Sequence, residues 1–125
     1  MELKELYKLA NEQDLTQPAG VIQAMQYNQK IFEQLGRQTA EALKQWKLKE
    51  AHRREVLATI YSQSDGTVED RKQKAEVAAA SYRREEAEAE ADHARWRYAR
   101  EATAENINIL KKRLDDLKDL TKGGV

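Results

Sequence analysis

Apolar residues recur at helical spacing along almost the whole chain. Alternating steps of four and three residues from Val21 to Ile60 meet an apolar residue at eight of twelve positions. The same stepping from Ala75 to Leu117 meets one at nine of thirteen positions. A period of about 3.5 residues sustained in two segments is typical of coiled-coil helices. The pattern therefore predicts two long helices that pack along a shared seam.

Turn and capping residues set the predicted ends of these helices. Pro18 suits the first turn of a helix, and Asp65-Gly66 is a turn signal followed by Thr67, whose hydroxyl can cap the next helix. Gly123-Gly124 is expected to end that helix. We predict a single helical domain over 1–125, with an N-terminal segment at 1–15, a first long helix at 18–62 and a second at 67–121.

The short turn predicts that the two long helices run antiparallel. In the expected register Leu35 faces Trp96, and a polar layer forms where Asn28 faces Thr103. The predicted fold class is all-α, a long antiparallel, coiled-coil-like helical hairpin with a short N-terminal helix. Apolar residues off the seam need a partner, so we expect a homo-oligomer. The candidate oligomer-interface residues are Leu110, Leu114 and Leu117.

Composition narrows the class of protein. Charged residues make up 35% of the chain, and 5 glycines and 1 proline are few, which favours long helices with solvated faces over a sheet. No cysteine is present, which excludes disulfides, thiolate metal sites and cysteine nucleophiles. No apolar run reaches the length of a membrane span, and the Met1–Lys4 terminus has no signal-peptide pattern. We therefore expect a cytoplasmic protein without a membrane partner.

Little in the sequence indicates catalysis or metal binding. The glycines form no phosphate-binding loop, and the serines and two histidines form no nucleophile–base motif. Glu90 and His93 have the spacing found in di-iron bundles, but such a site needs a second pair and further carboxylates. We expect no enzyme activity, no cofactor and no bound metal.

The charges are unevenly distributed although the net charge is zero. Residues 42–84 carry ten basic and six acidic side chains, a net charge of +4, with Trp46, Tyr61 and Tyr82 among them. Cations interleaved with aromatic rings are what sequence-tolerant single-strand binders use for phosphates and bases. Charged faces are equally the normal solvated surface of a coiled coil. The candidate nucleic-acid-binding residues are Lys44, Lys47, Lys49, Arg53, Arg54, Arg83 and Arg84.

The stretch Leu48–Ser62, followed by Asp65-Gly66 and Asp70-Arg71, resembles the UvsY-type recombination mediators of large tailed phages. In that family a basic helix likewise ends in an aromatic residue and a serine, turns through glycine and aspartate, and resumes as a charged helix. The resemblance implies a homo-oligomeric ring in the host cytoplasm that binds single-stranded DNA. It also implies that the ring helps load a recombinase onto strands coated by single-strand binding protein. The family's basic positions correspond to Arg53 and Arg54, with Lys49 beside them.

The sequence is compatible with functions from three different classes. The first is a non-enzymatic, single-stranded-DNA-binding recombination mediator. The second is a structural or adaptor coiled-coil oligomer, for example in phage assembly, that binds no nucleic acid. A small inhibitor of another protein is a third, which no sequence feature supports or excludes.

Overall fold

The computed structural model describes residues 1–123, which form three helices. They are α1 (Leu3–Asn11), α2 (Pro18–Gln63) and α3 (Val68–Gly123). These residues contain no strand, and none of the three helices holds an apolar stretch of the length that a membrane span requires. The all-α prediction with two long helices is confirmed. Gly124, expected to help end the second long helix, lies outside the described residues.

Local backbone chemistry explains where the long helices begin and end. α2 begins at Pro18, which has no backbone N–H to leave unsatisfied in the first turn. Gly66, in the turn before α3, has a φ of +109°, which side-chain-bearing residues rarely adopt. The Asp70 N–H donates to the Thr67 hydroxyl at 3.1 Å, and the Thr67 N–H donates to the Asp70 carboxylate at 3.3 Å. This reciprocal capping box starts α3 directly after Thr67.

The chain forms two compact units, and each long helix contributes to both. Unit 1 comprises Met1–Gln38 and the part of α3 that follows Arg95, and unit 2 comprises Thr39–Arg95. In unit 1, α1 completes a core between the long helices. Leu6, Ile31 and Leu35 are fully buried together, and Trp96 packs against them. Leu35 and Trp96 thus belong to one hydrophobic cluster.

A second cluster of unit 1 contains the predicted oligomer-interface residues. Leu110 is buried with Val21 and Ala24, and Leu114 and Leu117 pack against them. The first turns of α2 therefore supply an intrachain apolar surface for all three leucines. Leu110 needs no second subunit for its burial, whereas Leu114 and Leu117 stay half-buried. Their role between subunits stays a prediction.

The expected polar layer is buried but bonded within each helix. Asn28 and Thr103 are both buried in unit 1. The Asn28 amide donates to the Ala24 carbonyl oxygen at 2.8 Å, and the Thr103 hydroxyl donates to the Ala99 carbonyl oxygen at 2.9 Å. Each polar side chain is satisfied by the carbonyl one turn earlier, which short side chains reach readily in a helix. These bonds do not link α2 to α3.

Unit 2 has a much thinner core. Its buried residues are small: Thr39, Ala42, Ala75 and Ala79. Larger apolar side chains stay partly exposed, and Val77 exposes 76% of its surface. Two helices cover each other on one face only, so small seam residues are buried completely and large ones in part.

The loop before α2 lies against the first turn of that helix. The Asp14 carboxylate accepts hydrogen bonds from the hydroxyl and the backbone N–H of Thr16. Both hydrogen bonds lower the pKa of Asp14, and the bond from the Thr16 hydroxyl has the larger effect. The Asp14 carbonyl oxygen lies so close to Gly20 that a Cβ there would be only 1.9 Å away. Gly20 therefore permits a close backbone contact that no other residue allows.

Two glycines of α2 predict opposite changes in stability. Gly20→Ala should destabilise the protein by about 1–3 kcal/mol, because the Asp14 backbone must move. Gly36→Ala is the matched control, since its Cβ would lie 4.0 Å from the nearest atom, the Arg100 Nε. It should stabilise the protein by about 1 kcal/mol through helix propensity. Urea unfolding followed by circular dichroism measures both, and a Gly20→Ala protein as stable as the wild type would contradict the close contact.

Candidate functional site

The seven predicted nucleic-acid-binding residues all lie in unit 2. Arg53 and Lys49 are half-buried, and the other five are exposed. Lys44, Lys47, Lys49, Arg53 and Arg54 belong to α2, and Arg83 and Arg84 belong to α3.

Five of these seven cations pair with carboxylates of the same unit. Glu50 pairs with both Lys47 and Arg54, at 3.4 Å and 2.9 Å. The remaining pairs are Lys49 with Glu85 at 3.5 Å, Arg53 with Glu86, and Arg83 with Glu76. Within the described residues, Lys44 and Arg84 make no ion pair. The predicted phosphate-binding face is therefore largely occupied by the protein's own carboxylates.

Arg53 forms the most enclosed of these pairs. Its guanidinium and the Glu86 carboxylate expose only 18% and 17% of their side-chain surfaces. The hydrogen bond to Glu86 raises the pKa of Arg53, and the negative charges of Glu86, Glu50 and Glu76 add to this effect. Arg53 and Glu86 both fall on the predicted seam. Opposite charges at seam positions of the two long helices are therefore the sequence signal from which this ion pair could have been predicted. The geometry makes Arg53 a link between α2 and α3.

The positive charge of residues 42–84 is cancelled within unit 2. The unit includes the acidic stretch 85–92, which contributes five carboxylates. Unit 2 as a whole carries eleven basic and twelve acidic side chains, a net charge of −1. Glu85 and Glu86 neutralise cations of α2 because α3 lies beside it. The count of +4 for residues 42–84 therefore does not give unit 2 a net positive charge.

The three aromatic rings of the predicted interface are engaged within the chain. Trp46 lies 5.5 Å from the His93 ring, and the Lys47 ammonium lies 4.3 Å from the centre of the indole. Among the described residues, no acceptor reaches the buried Trp46 Nε1. Tyr61 is covered by Arg71 at 4.3 Å, and Tyr82 meets His52 edge-on at 4.9 Å. These rings already contact neighbouring side chains, which leaves less of their faces for stacked bases.

An open groove in unit 2 is lined by one of the predicted cations, Arg54, and otherwise by residues outside the predicted sites. It encloses about 630 Å³ between α2 and α3, close to the turn. Its lining includes four apolar residues, which we call its apolar floor, and charged residues of both helices; the apolar residues are Leu57, Ala58, Tyr61 and Ala75. Leu57 is an off-seam apolar residue, which the sequence pattern identifies, but the groove itself depends on how the two helices lie together.

The described residues form no group of three or more acidic or histidine side chains able to hold a metal ion. His93, which has the spacing of a di-iron ligand relative to Glu90, packs instead against Trp46. No protein-family model, no curated protein sequence and no solved structure matches the chain. The similarity to UvsY-type mediators therefore stays a hypothesis.

A double-mutant cycle tests whether Arg53 and Glu86 hold α2 against α3. Arg53→Gln or Glu86→Gln alone should lower the free energy of unfolding by about 1–3 kcal/mol, because a half-buried charge loses its partner. The double variant should recover part of that loss. The control is the exposed Arg95–Asp92 pair, whose coupling energy should be about 0.3–0.5 kcal/mol. Equal coupling energies in the two cycles would show that the enclosed pair has no special structural role.

Proposed function

We propose that the protein is a non-enzymatic structural or adaptor oligomer, built from an antiparallel hairpin of α2 and α3. The observation that carries the proposal is the thin core of unit 2. Its buried side chains are no larger than threonine, while larger apolar side chains such as Leu57 and Tyr61 stay half-buried. A surface of this kind is typical of helices that bury their outer faces against other helices.

Contacts within unit 2 support antiparallel pairing of the two long helices. Tyr61, near the end of α2, contacts Arg71, near the beginning of α3. Lys49 and Arg53, farther from the turn, pair with Glu85 and Glu86, which are farther along α3. Distance from the turn thus increases together on both helices, as it does in a hairpin.

The energetics of a two-helix unit also favour association. Ordering the backbone costs roughly 1–2 kcal/mol for each residue, and full burial of one Leu or Val returns only about 1.5–3 kcal/mol. Unit 2 leaves most of its large apolar side chains partly in water. A second helical layer would remove these side chains from water without any change in the hairpin.

Self-association predicts that size and stability depend on concentration. At micromolar concentration the protein should sediment with a mass of at least two chains of 14.4 kDa each. Its thermal midpoint should fall on dilution, because binding between folded chains stabilises them by mass action. Analytical ultracentrifugation and circular dichroism over a dilution series measure these effects. A folded monomer with a concentration-independent midpoint would overturn the proposal.

A second candidate function is a single-stranded-DNA-binding recombination mediator, with a recombinase and single-strand binding protein as further partners. It is favoured by Lys44 and Arg84, which are exposed and make no ion pair within the described residues. In the pair Arg83–Glu76 both side chains are exposed, and in the pair Lys47–Glu50 the lysine is exposed while Glu50 is half-buried; exposed pairs contribute only about 0–1 kcal/mol each. Phosphate groups could displace these carboxylates at little cost.

Glu50 provides a sharp test of DNA binding, because it neutralises two of the candidate cations. Glu50→Gln should strengthen binding to a fluorescent oligothymidine and steepen its dependence on salt by about 1.4 units of log–log slope, as for two added phosphate contacts. Glu55→Gln makes the same change in net charge, but Glu55 has no ion pair within the described residues, so its effect should be smaller. Fluorescence anisotropy at several salt concentrations measures both variants.

Two outcomes would reject the mediator function. One is the absence of salt-dependent binding by the wild-type oligomer. The other is an equal effect of Glu50→Gln and Glu55→Gln, which would show that the affinity for the oligonucleotide depends only on net charge. The structural or adaptor function would be unaffected by either outcome.

A further inference from the structure

The open groove of unit 2 has walls of mixed charge. Its α2 wall carries Arg54, and its α3 wall carries Glu69, Lys72 and Glu76. Between the walls, Leu57 and Tyr61 are half-buried on the apolar floor. This apolar floor lies beside a thin core and offers unit 2 a surface for further burial.

We propose that this groove binds the same groove of a second copy of the chain, across a twofold axis parallel to the helices. The inference rests on the proposed self-association and adds to it the surface and the arrangement of the two copies. The product is a four-helix layer in which both hairpins turn at the same end. α2 of each copy then lies over α3 of the other.

Charge complementarity favours this arrangement. Arg54 lines the groove from α2 and Glu76 lines it from α3, and each also makes an ion pair within its own helix, with Glu50 and Arg83 respectively. The twofold axis exchanges these walls, so that Arg54 faces the partner's Glu76 and Glu76 faces the partner's Arg54. An arrangement that stacks like helices on each other loses this pairing. A peptide of one charge sign would be repelled by either Arg54 or Glu76, whereas a second copy presents the opposite sign to each of these two residues.

Apolar burial favours the same occupant. Leu57 and Tyr61 retain exposed surface in the single chain, although they point into the groove between the helices. In the twofold arrangement Leu57 and Tyr61 of each copy meet the floor of the facing groove. The dimer therefore covers two copies of each side chain. The resulting layer would give unit 2 the large buried side chains that it lacks by itself.

Cross-linking between two single-cysteine variants tests the arrangement directly. The wild-type chain has no cysteine, so every cross-link must join introduced thiols. Arg54→Cys and Glu76→Cys chains are mixed in denaturant, refolded together and treated with a short bis-maleimide. A covalent dimer of one chain of each kind is expected. The matched control replaces Glu76→Cys by Val77→Cys, because Val77 is the next residue and is exposed but does not line the groove.

The Val77→Cys mixture should give several-fold less cross-linked dimer. Equal yields from the two mixtures would overturn the groove as the interface. Arg54 and Glu76 are exposed, so neither cysteine substitution removes a core residue. Circular dichroism of each variant confirms that it is folded before cross-linking.

An aspartate substitution separates this inference from the broader proposal. Leu57→Asp should raise the dissociation constant of the dimer by about 100-fold or more, because the lost burial counts twice in a symmetric dimer. Leu48→Asp, at an exposed residue of α2 outside the groove, should change it little. A monomeric wild type would overturn both self-association and the groove interface. If the wild type is oligomeric and the folded Leu57→Asp variant has the same dissociation constant, the groove interface alone would be overturned.

Discussion

The fold of this protein depends on how much surface two helices can remove from water. A pair of helices shares one face, and side chains on that face are covered completely only when they are small or when a third element closes over them. In unit 1 that element is α1, and Leu6, Ile31 and Leu35 are fully buried. Unit 2 contains only parts of α2 and α3, and alanines occupy its closed positions. The same helical pair therefore gives a packed core in one unit and an open one in the other.

Electrostatics in unit 2 balances charge more than it concentrates it. The basic end of α2 and the acidic stretch of α3 belong to one compact unit, and the bridges Arg53–Glu86 and Lys49–Glu85 join them. Such pairing favours the observed alignment of α3 beside α2, since separating Arg53 from Glu86 would leave two half-buried charges unpaired. It also reduces the local field that a polyanion would experience. The charged residues of this unit therefore act mainly in the contact between α2 and α3.

Much of the fold follows from the sequence because its signals are local. Pro18 and the Thr67 cap act on adjacent backbone groups, and the seam period is a property of each helix alone, which is why Leu35 and Trp96 are found in one cluster. The candidate site is less predictable. Whether a cation is free depends on the carboxylates that side chains can reach across the seam, as for Arg53, and a count of charges along the chain does not contain this information. The intrachain burial of Leu110 likewise depends on where α2 starts in space.

Each unit contains one of the two tryptophans, so tryptophan fluorescence can report on the stability of the two units separately. Trp96 packs against the closed core of unit 1, and Trp46 stacks near His93 in unit 2. Regions with unequal cores open with unequal free energies. Each indole therefore reports the opening of a different unit, and a protein with one tryptophan replaced by phenylalanine separates the two signals.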